Sequence, residues 1–351
     1  MPEPIASPSA AKPAALSPLL RRQLRLLAIC TVVLAACFVK PLFSLARFTL
    51  HSDLYSHILL IPFVSLYLAW LKKGSLSPAS EPTAIELINS PGAAAGASPS
   101  PPQEERVGER RTFPYITSSP MAVTSEPSRK LAALPLAAGL LSILGYFFAL
   151  HSGAKLAPVD SLAWTTFSFF LLFIAACFLA LGKQTLRALV FPLAFLIFFV
   201  PFPNALENVL ESFLQYRSAD AAELLFRIAG TPLLRHDVDF QLPGFSLQVA
   251  PECSGIRSSL VLFITSLVAG QLFLRSPWKR ALFALAVIPL GILRNAFRIV
   301  TIGELCVHVS PDMIDSYIHR RGGPVFFAIS MVPFFVLLYY LRKSDLRKHH
   351  V

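Results

Sequence analysis

Apolar runs of bilayer length recur along this chain, separated by short polar stretches. They fall at about 26–43, from a connection holding His51, Asp53, Tyr55 and His57 to Trp70, then at 131–150, 160–181, 186–202, 256–274, 281–303 and 324–341. A hydrocarbon core takes about 20 apolar residues of helix, and each run comes close to that. The pattern predicts an all-α integral membrane bundle of about eight transmembrane helices.

The polar stretches divide the chain further. Residues 1–23, rich in Ala, Pro and Ser, are expected to be a disordered cytoplasmic N-terminus, and residues 24–73 carry spans one and two, the first a retained signal anchor. Residues 74–130 lack a sustained apolar period and read as a flexible cytoplasmic loop. Residues 131–343 carry spans three to eight with an outer segment at 203–255, and 344–351 form a basic cytoplasmic tail. Within the outer segment, Leu206, Val209, Leu210, Phe213 and Leu214 follow a helical period, with Glu207 and Glu211 elsewhere, which predicts an amphipathic helix on the membrane or across the bundle. Val238, Phe240 and Leu242, then Phe245, Leu247 and Val249, alternate around Pro243 and Gly244, as a small β-hairpin would.

Composition supports the membrane reading: 54% of residues are hydrophobic and 15% charged, more apolar than a soluble domain. The net charge of +11 does not point to nucleic acid, because the basic residues cluster at the ends of apolar runs rather than along a polar face. Those clusters orient the bundle. Arg21, Arg22, Arg25, Lys72, Lys73, Arg129, Lys130, Lys183, Arg187, Arg275, Lys279, Arg280, Arg342 and Lys343 all fall on one side of an eight-span topology, with Lys40, Arg47 and Lys155 as exceptions. The ends near Cys253, Arg298 and His319 then share the opposite, extracytoplasmic face.

Cys253 precedes the sixth span, where free backbone N–H groups favour a thiolate, and Arg257 one turn on adds to the effect. Ser254 and Gly255 permit close approach of a substrate backbone. Arg294 and Arg298, four residues apart with Asn295 between them, put cations deep in an apolar run, where they face a cavity or a partner. Arg298 has snorkelling to the interface as its plain alternative, and Arg294 an ion pair with Glu304 or another acid. His319, beside Gly323 in HRRGG, has the chemistry of a general acid and base; His308 is the competing histidine. Together they suggest a cysteine nucleophile, with Arg298 on the oxyanion. A zinc reading from Cys253, His308, His319 and Asp312 or Asp315 has no short ligand spacing behind it, and no metal or cofactor is expected. Asp53 and His57 either line the site or, for His57, cap the second span.

The stretches VAPECSGIRSS, NAFRI, HRRGG and HSDLYSHILL, and the lead-in PLLRHDVDFQLPGF, resemble the exosortases and archaeosortases, multi-pass membrane cysteine transpeptidases. The resemblance covers most of 24–340. It implies Cys253 as nucleophile, assisted by Arg298 and His319, with secreted proteins bearing a C-terminal sorting signal as substrates: a Pro-Glu-Pro-like motif, a transmembrane helix and a basic cluster. It also implies the bacterial inner membrane, an unidentified surface acceptor and a link to exopolysaccharide production. Two rivals remain at this stage. One is a non-enzymatic exopolysaccharide transport or assembly protein; the other is a purely hydrolytic intramembrane cysteine protease.

Overall fold

Proline positions set where several helices of this chain begin, break or stop. The computed structural model describes residues 18–52, 54–72, 129–250, 254–316 and 322–347. The N-terminal segment to residue 17, nearly all of the 74–130 loop and the end of the tail lie outside the described residues, as do Asp53, Cys253 and His319. The helices are α1 (Pro18–Cys37), α2 (Val39–His51), α3 (Ile61–Leu71), α4 (Arg129–His151), α5 (Pro158–Ala180), α6 (Lys183–Phe195), α7 (Asn204–Ala229), α8 (Ile256–Phe273), α9 (Pro277–His308) and α10 (Gly323–Arg347).

Among the described residues, five helices are long and apolar enough to cross a membrane: α4, α5, α8, α9 and α10. The number rises to seven only if two interrupted helix pairs are each counted as one span. The described residues thus support five to seven candidate spans of the expected eight. The first run is broken between Cys37 and Val39, where Pro41 has no N–H for the Cys37 carbonyl and its ring crowds that group. The second run, Ser56–Leu71, falls short of bilayer length, opening with a 3-10 turn (Ser56–Leu60) before Pro62 starts α3. The run at 186–202 ends early because Val200, preceding Pro201, is extended.

Contacts divide the chain into two compact units. The first comprises Met1–Phe43, Leu60–Ala154 and Trp164–Val200. Within it, Gly139 on α4 admits Leu172 of α5, whose side chain would stand 2.9 Å from an added Cβ. Polar groups join the same pair: Trp164 Nε1 donates to the Ser142 carbonyl at 2.8 Å, and the Ser142 and Ser168 hydroxyls are 2.8 Å apart. At the end of α6 the chain tightens into a 3-10 turn, the Leu196 N–H turning to the Leu193 carbonyl. The Pro192 carbonyl, no longer served by Leu196, accepts the Ser65 hydroxyl at 2.8 Å.

The second unit comprises Ser44–Leu59, Lys155–Ala163 and Pro201–Val351. Helix α7 runs well past the apolar period at 206–214 and stops at Gly230, a left-handed cap (φ +82°) with the Thr231 N–H returning to the Phe226 carbonyl. The chain then forms a three-stranded antiparallel sheet: β1 (Leu234–His236), β2 (Asp239–Leu242) and β3 (Phe245–Gln248), in that spatial order. The two strands expected as a small hairpin form part of a three-stranded sheet, to which β1 adds the pairing of Arg235 with Phe240. Between β2 and β3, Leu242 faces Phe245 across Pro243 and Gly244, whose φ of +72° only glycine adopts readily. Ala219, Ala222 and Phe226 of α7, Phe240, Leu242, Leu247 and Val249 of the sheet, and Ala296 and Ile299 of α9 make one buried cluster. It fastens α7 and the sheet to the second half of α9. A separate cluster joins α8, α9 and α10 around Phe283 and Phe334, with ring centroids 4.8 Å apart. Beside it Asp345, 4% exposed, accepts the Arg275 N–H (2.6 Å) and the Ser276 N–H (3.2 Å) and pairs with Lys279 (3.2 Å).

Candidate active site

Helix α8 starts at a position few residue types can occupy. Gly255, its N-cap, has φ +75°, and an added Cβ there would lie 2.9 Å from Arg294 Nη2 and 3.3 Å from the Asn295 amide. Both the backbone conformation and the close approach require glycine. The Gly255 carbonyl accepts from the Ser259 N–H at 3.0 Å, the Ser258 hydroxyl at 3.1 Å and Arg294 Nη2 at 3.2 Å. Ser254 is buried, and its hydroxyl accepts the Ile256 N–H at 3.4 Å. The turn that follows Cys253 in sequence is thus held by α9.

Arg294 (8% exposed) and Asn295 (2%) pack behind this turn. Arg298 lies one helical turn further along α9 and is half-buried. Asn295 and Arg298 also line a small pocket with Leu247, Gln248 and Val249 of the sheet end that leads toward Cys253. The expected Arg294–Glu304 pair does not form. Glu304 instead accepts the Thr231 hydroxyl and pairs with His308 at 3.0 Å, because both carboxylate oxygens face the turn after α7 and the end of α9.

In front of the turn lies an open cavity of about 660 Å³. Gly255, Arg257 and Ser258 from the start of α8, Arg298 from α9, and Gly323 and Pro324 from the start of α10 line it. Glu207 and Glu211 of α7 complete the wall, with Leu54 from the early motif. Residues predicted separately from three stretches of sequence, Gly255 and Arg257, Arg298, and Gly323, therefore meet in one space within the second unit. In sequence, Cys253 is two residues before Gly255 and His319 four before Gly323.

The two glutamates were not among the expected site residues. The first half of helix α7 turns Leu206, Val209 and Phe213 outward and the carboxylates of Glu207 and Glu211 toward the cavity, the reverse of a helix on a soluble protein. Their i, i+4 spacing in an otherwise apolar half-helix was the available signal. Tyr55, buried, donates its hydroxyl to Glu207 Oε2 at 2.6 Å, with the Phe202 carbonyl 3.3 Å away. Burial, and then the carboxylate, push the Tyr55 pKa well above its usual value, so the phenol stays a donor. Of the early histidines, His57 donates from Nδ1 to the Leu54 carbonyl at 3.0 Å, and burial lowers its pKa. His57 is not among the residues lining the cavity; its bond to Leu54 shapes the stretch that is. Among the described residues, no group of three His, Cys, Asp or Glu comes together that could hold a metal ion.

The chemistry of the cavity wall is split. The N-terminus of α8, Arg257 and Arg298 provide positive potential, and Glu207 and Glu211 provide negative potential. Such a site accepts a polar backbone in an apolar setting and stabilises negative charge developing beside α8.

A family model described as "Transmembrane exosortase (Exosortase_EpsH)" matches residues 118–336, well over half of the chain and the whole run from α4 into α10. Neither a curated protein nor a solved structure matches the chain. The match spans the turn after Cys253, the two arginines of α9 and the start of α10, so the residues that build the cavity are, apart from Leu54, inside it. On that match, this multi-span membrane protein belongs to the transmembrane exosortase family.

Proposed function

We propose that the chain is a cysteine transpeptidase of the bacterial inner membrane, working on the extracytoplasmic face. Its substrates are secreted proteins ending in a sorting signal with a Pro-Glu-Pro-like motif, a transmembrane helix and a basic cluster. The Cys253 thiolate attacks the scissile carbonyl carbon. Arg298 stabilises the resulting oxyanion, and His319 protonates the leaving amine as the C–N bond breaks. The thioester is then attacked by an amine or hydroxyl of a surface acceptor, whose proton passes to His319 as the thiolate leaves.

What supports this reading is the cavity. The residues flanking Cys253 and His319 in sequence line one space with Arg298, although α8, α9 and α10 bring them from distant parts of the chain. Ser254 and Asn295 form and pack behind the turn after Cys253, Gly323 lines the cavity at the start of α10, and Asp53 and His57 belong to the early stretch that carries Leu54 to the cavity.

The test is processing of a tagged sorting-signal protein co-expressed with the wild type or with Cys253→Ala, Arg298→Ala or His319→Ala. Each variant is expected to leave the substrate at full length. Processing by Cys253→Ala refutes the nucleophile assignment. Mass spectrometry of the new C-terminus separates the two outcomes of the thioester: an attached acceptor supports transpeptidation, and a free carboxylate means hydrolysis.

A further inference from the structure

Arg294 is a buried cation that the mechanism above leaves unused. Among the described residues it meets no carboxylate. Its Nη2 reaches the Gly255 carbonyl (3.2 Å) and the Ser259 hydroxyl (3.4 Å), and its Nη1 is buried with no hydrogen-bond partner. Several acids of the second unit are engaged elsewhere: Glu304 with Thr231 and His308, Asp345 with Lys279, Glu207 with Tyr55, and Asp220 and Glu223 with Arg235. Removing an ion from water without a counter-ion costs several kcal/mol, and a negative charge arising nearby during function would offset that cost.

The guanidinium shows where that charge arises. It lies against the first residue of α8, close enough that a Cβ on Gly255 would meet it at 2.9 Å. An 18-residue helix begins there and presents the positive end of its dipole. Arg257 is exposed, so water screens its charge, and Arg298 faces the cavity where the substrate carbonyl lies in the proposed mechanism. Arg294 is the desolvated cation of the three, and its field is correspondingly stronger.

We propose that Arg294 is a positioning residue that locks the N-terminal turn of α8 through the Gly255 carbonyl and, with that helix end, holds Cys253 as a thiolate. This rests on the reading of Cys253 as the nucleophile. It assigns the two arginines of α9 different tasks: Arg298 acts on the substrate, Arg294 on the nucleophile's turn. The other charged groups around the cavity are Glu207 and Glu211 from α7 and Arg257 from α8, with Glu252 next to Cys253 in sequence and His319, Arg320 and Arg321 close in sequence to Gly323.

The test reads the thiol itself. In full-length protein with Cys30, Cys37, Cys177 and Cys306 replaced by Ala, the rate of Cys253 alkylation by iodoacetamide is followed against pH. The comparison covers Arg294 and the variants Arg294→Lys, Arg294→Met and Arg257→Met. A nearby cation lowers a thiol pKa by about one to three units, so Arg294→Met should move the midpoint up by about one pH unit and slow alkylation at neutral pH about tenfold. Arg294→Lys should keep most of the wild-type profile, and Arg257→Met should shift it less than Arg294→Met does. With a sorting-signal substrate, Arg294→Met should lower kcat while KM stays within about twofold. A wild-type midpoint in Arg294→Met overturns the proposal, as does a lysine variant that behaves like the methionine one. If Arg294→Met does not accumulate, Arg294→Gln carries the same expectation and the same refutation. Failure of the underlying reading is distinguishable, because there Cys253→Ala still processes substrate whatever Arg294 does to the thiol.

Discussion

Replacing Gly303 by alanine sets two effects of known sign against each other. Gly303 lies within α9, and alanine in a helix interior is favoured over glycine by about 1 kcal/mol. Opposing this, the new Cβ would stand 2.5 Å from Phe226 Cζ, 2.9 Å from Cε1 and 3.1 Å from Leu242 Cδ1. Carbon atoms pack comfortably at about 3.5–4.0 Å, so the ring must retreat by about 1 Å. It has nowhere to go: Phe226 is fully buried, its centroid is 5.8 Å from that of Phe240, and both belong to the cluster binding α7 and the sheet to α9. Overpacking costs about 1–3 kcal/mol, and a 2.5 Å approach to a fully buried ring belongs in the upper part of that range, about 2–3 kcal/mol, so it wins, with a net destabilisation of about 1–2 kcal/mol. The assay is the apparent thermal midpoint of the full-length protein in detergent at one fixed scan rate, together with the protease sensitivity of residues 204–250. Phe226→Leu removes the clash. In that background alanine at 303 should be neutral or stabilising, giving a coupling of about 1–3 kcal/mol in the double-mutant cycle. If Gly303→Ala alone is as stable as the wild type, the ring is free to move and the outer segment is not fixed to α9 as described.

Two further expectations concern polar groups. Asp345→Ala removes the carboxylate that caps two N–H groups at the α8–α9 turn and neutralises buried Lys279, and should cost about 3–5 kcal/mol by thermal unfolding. Adding Lys279→Met should recover much of that loss; if it does not, the capping bonds rather than the stranded charge dominate. Tyr55 has its pKa raised in the folded protein, above the value of about 10 it takes when unfolded. The folded state then holds the proton more tightly, so this contribution is complete below about pH 10 and is lost as pH rises beyond it. Tyr55→Phe should therefore be less stable at neutral pH but decline less steeply in alkaline titrations, and an unchanged alkaline slope refutes the Tyr55–Glu207 bond.

The chemistry of the site was partly legible in the sequence because costly residues stand out in an apolar chain. Arg294, Arg298 and Asn295 interrupt a membrane run, and Gly255 follows a cysteine at its edge; all four prove to pack or open around one turn. Glu207, Glu211 and Tyr55 escaped for a physical reason. A helix with one apolar face reads the same whether that face meets lipid or protein, and only packing shows that α7 points its acids inward. The Arg294–Glu304 pair failed similarly, since proximity in sequence says nothing of the hydroxyl and imidazole that reach Glu304 first.

By itself the sequence determined that this is a helical membrane protein, because free energies of transfer into lipid depend on composition and run length alone. It also determined which residues are expensive enough to need a purpose. The number of full spans was decided by local backbone limits, where Pro41, Pro62 and Pro201 cut apolar runs that hydropathy counts as whole. The partners of Arg294, the third strand and the acidic wall of the cavity were decided by tertiary structure. Those contacts join residues far apart along the chain, and the packing of α7, α8, α9 and α10 sets which of them meet.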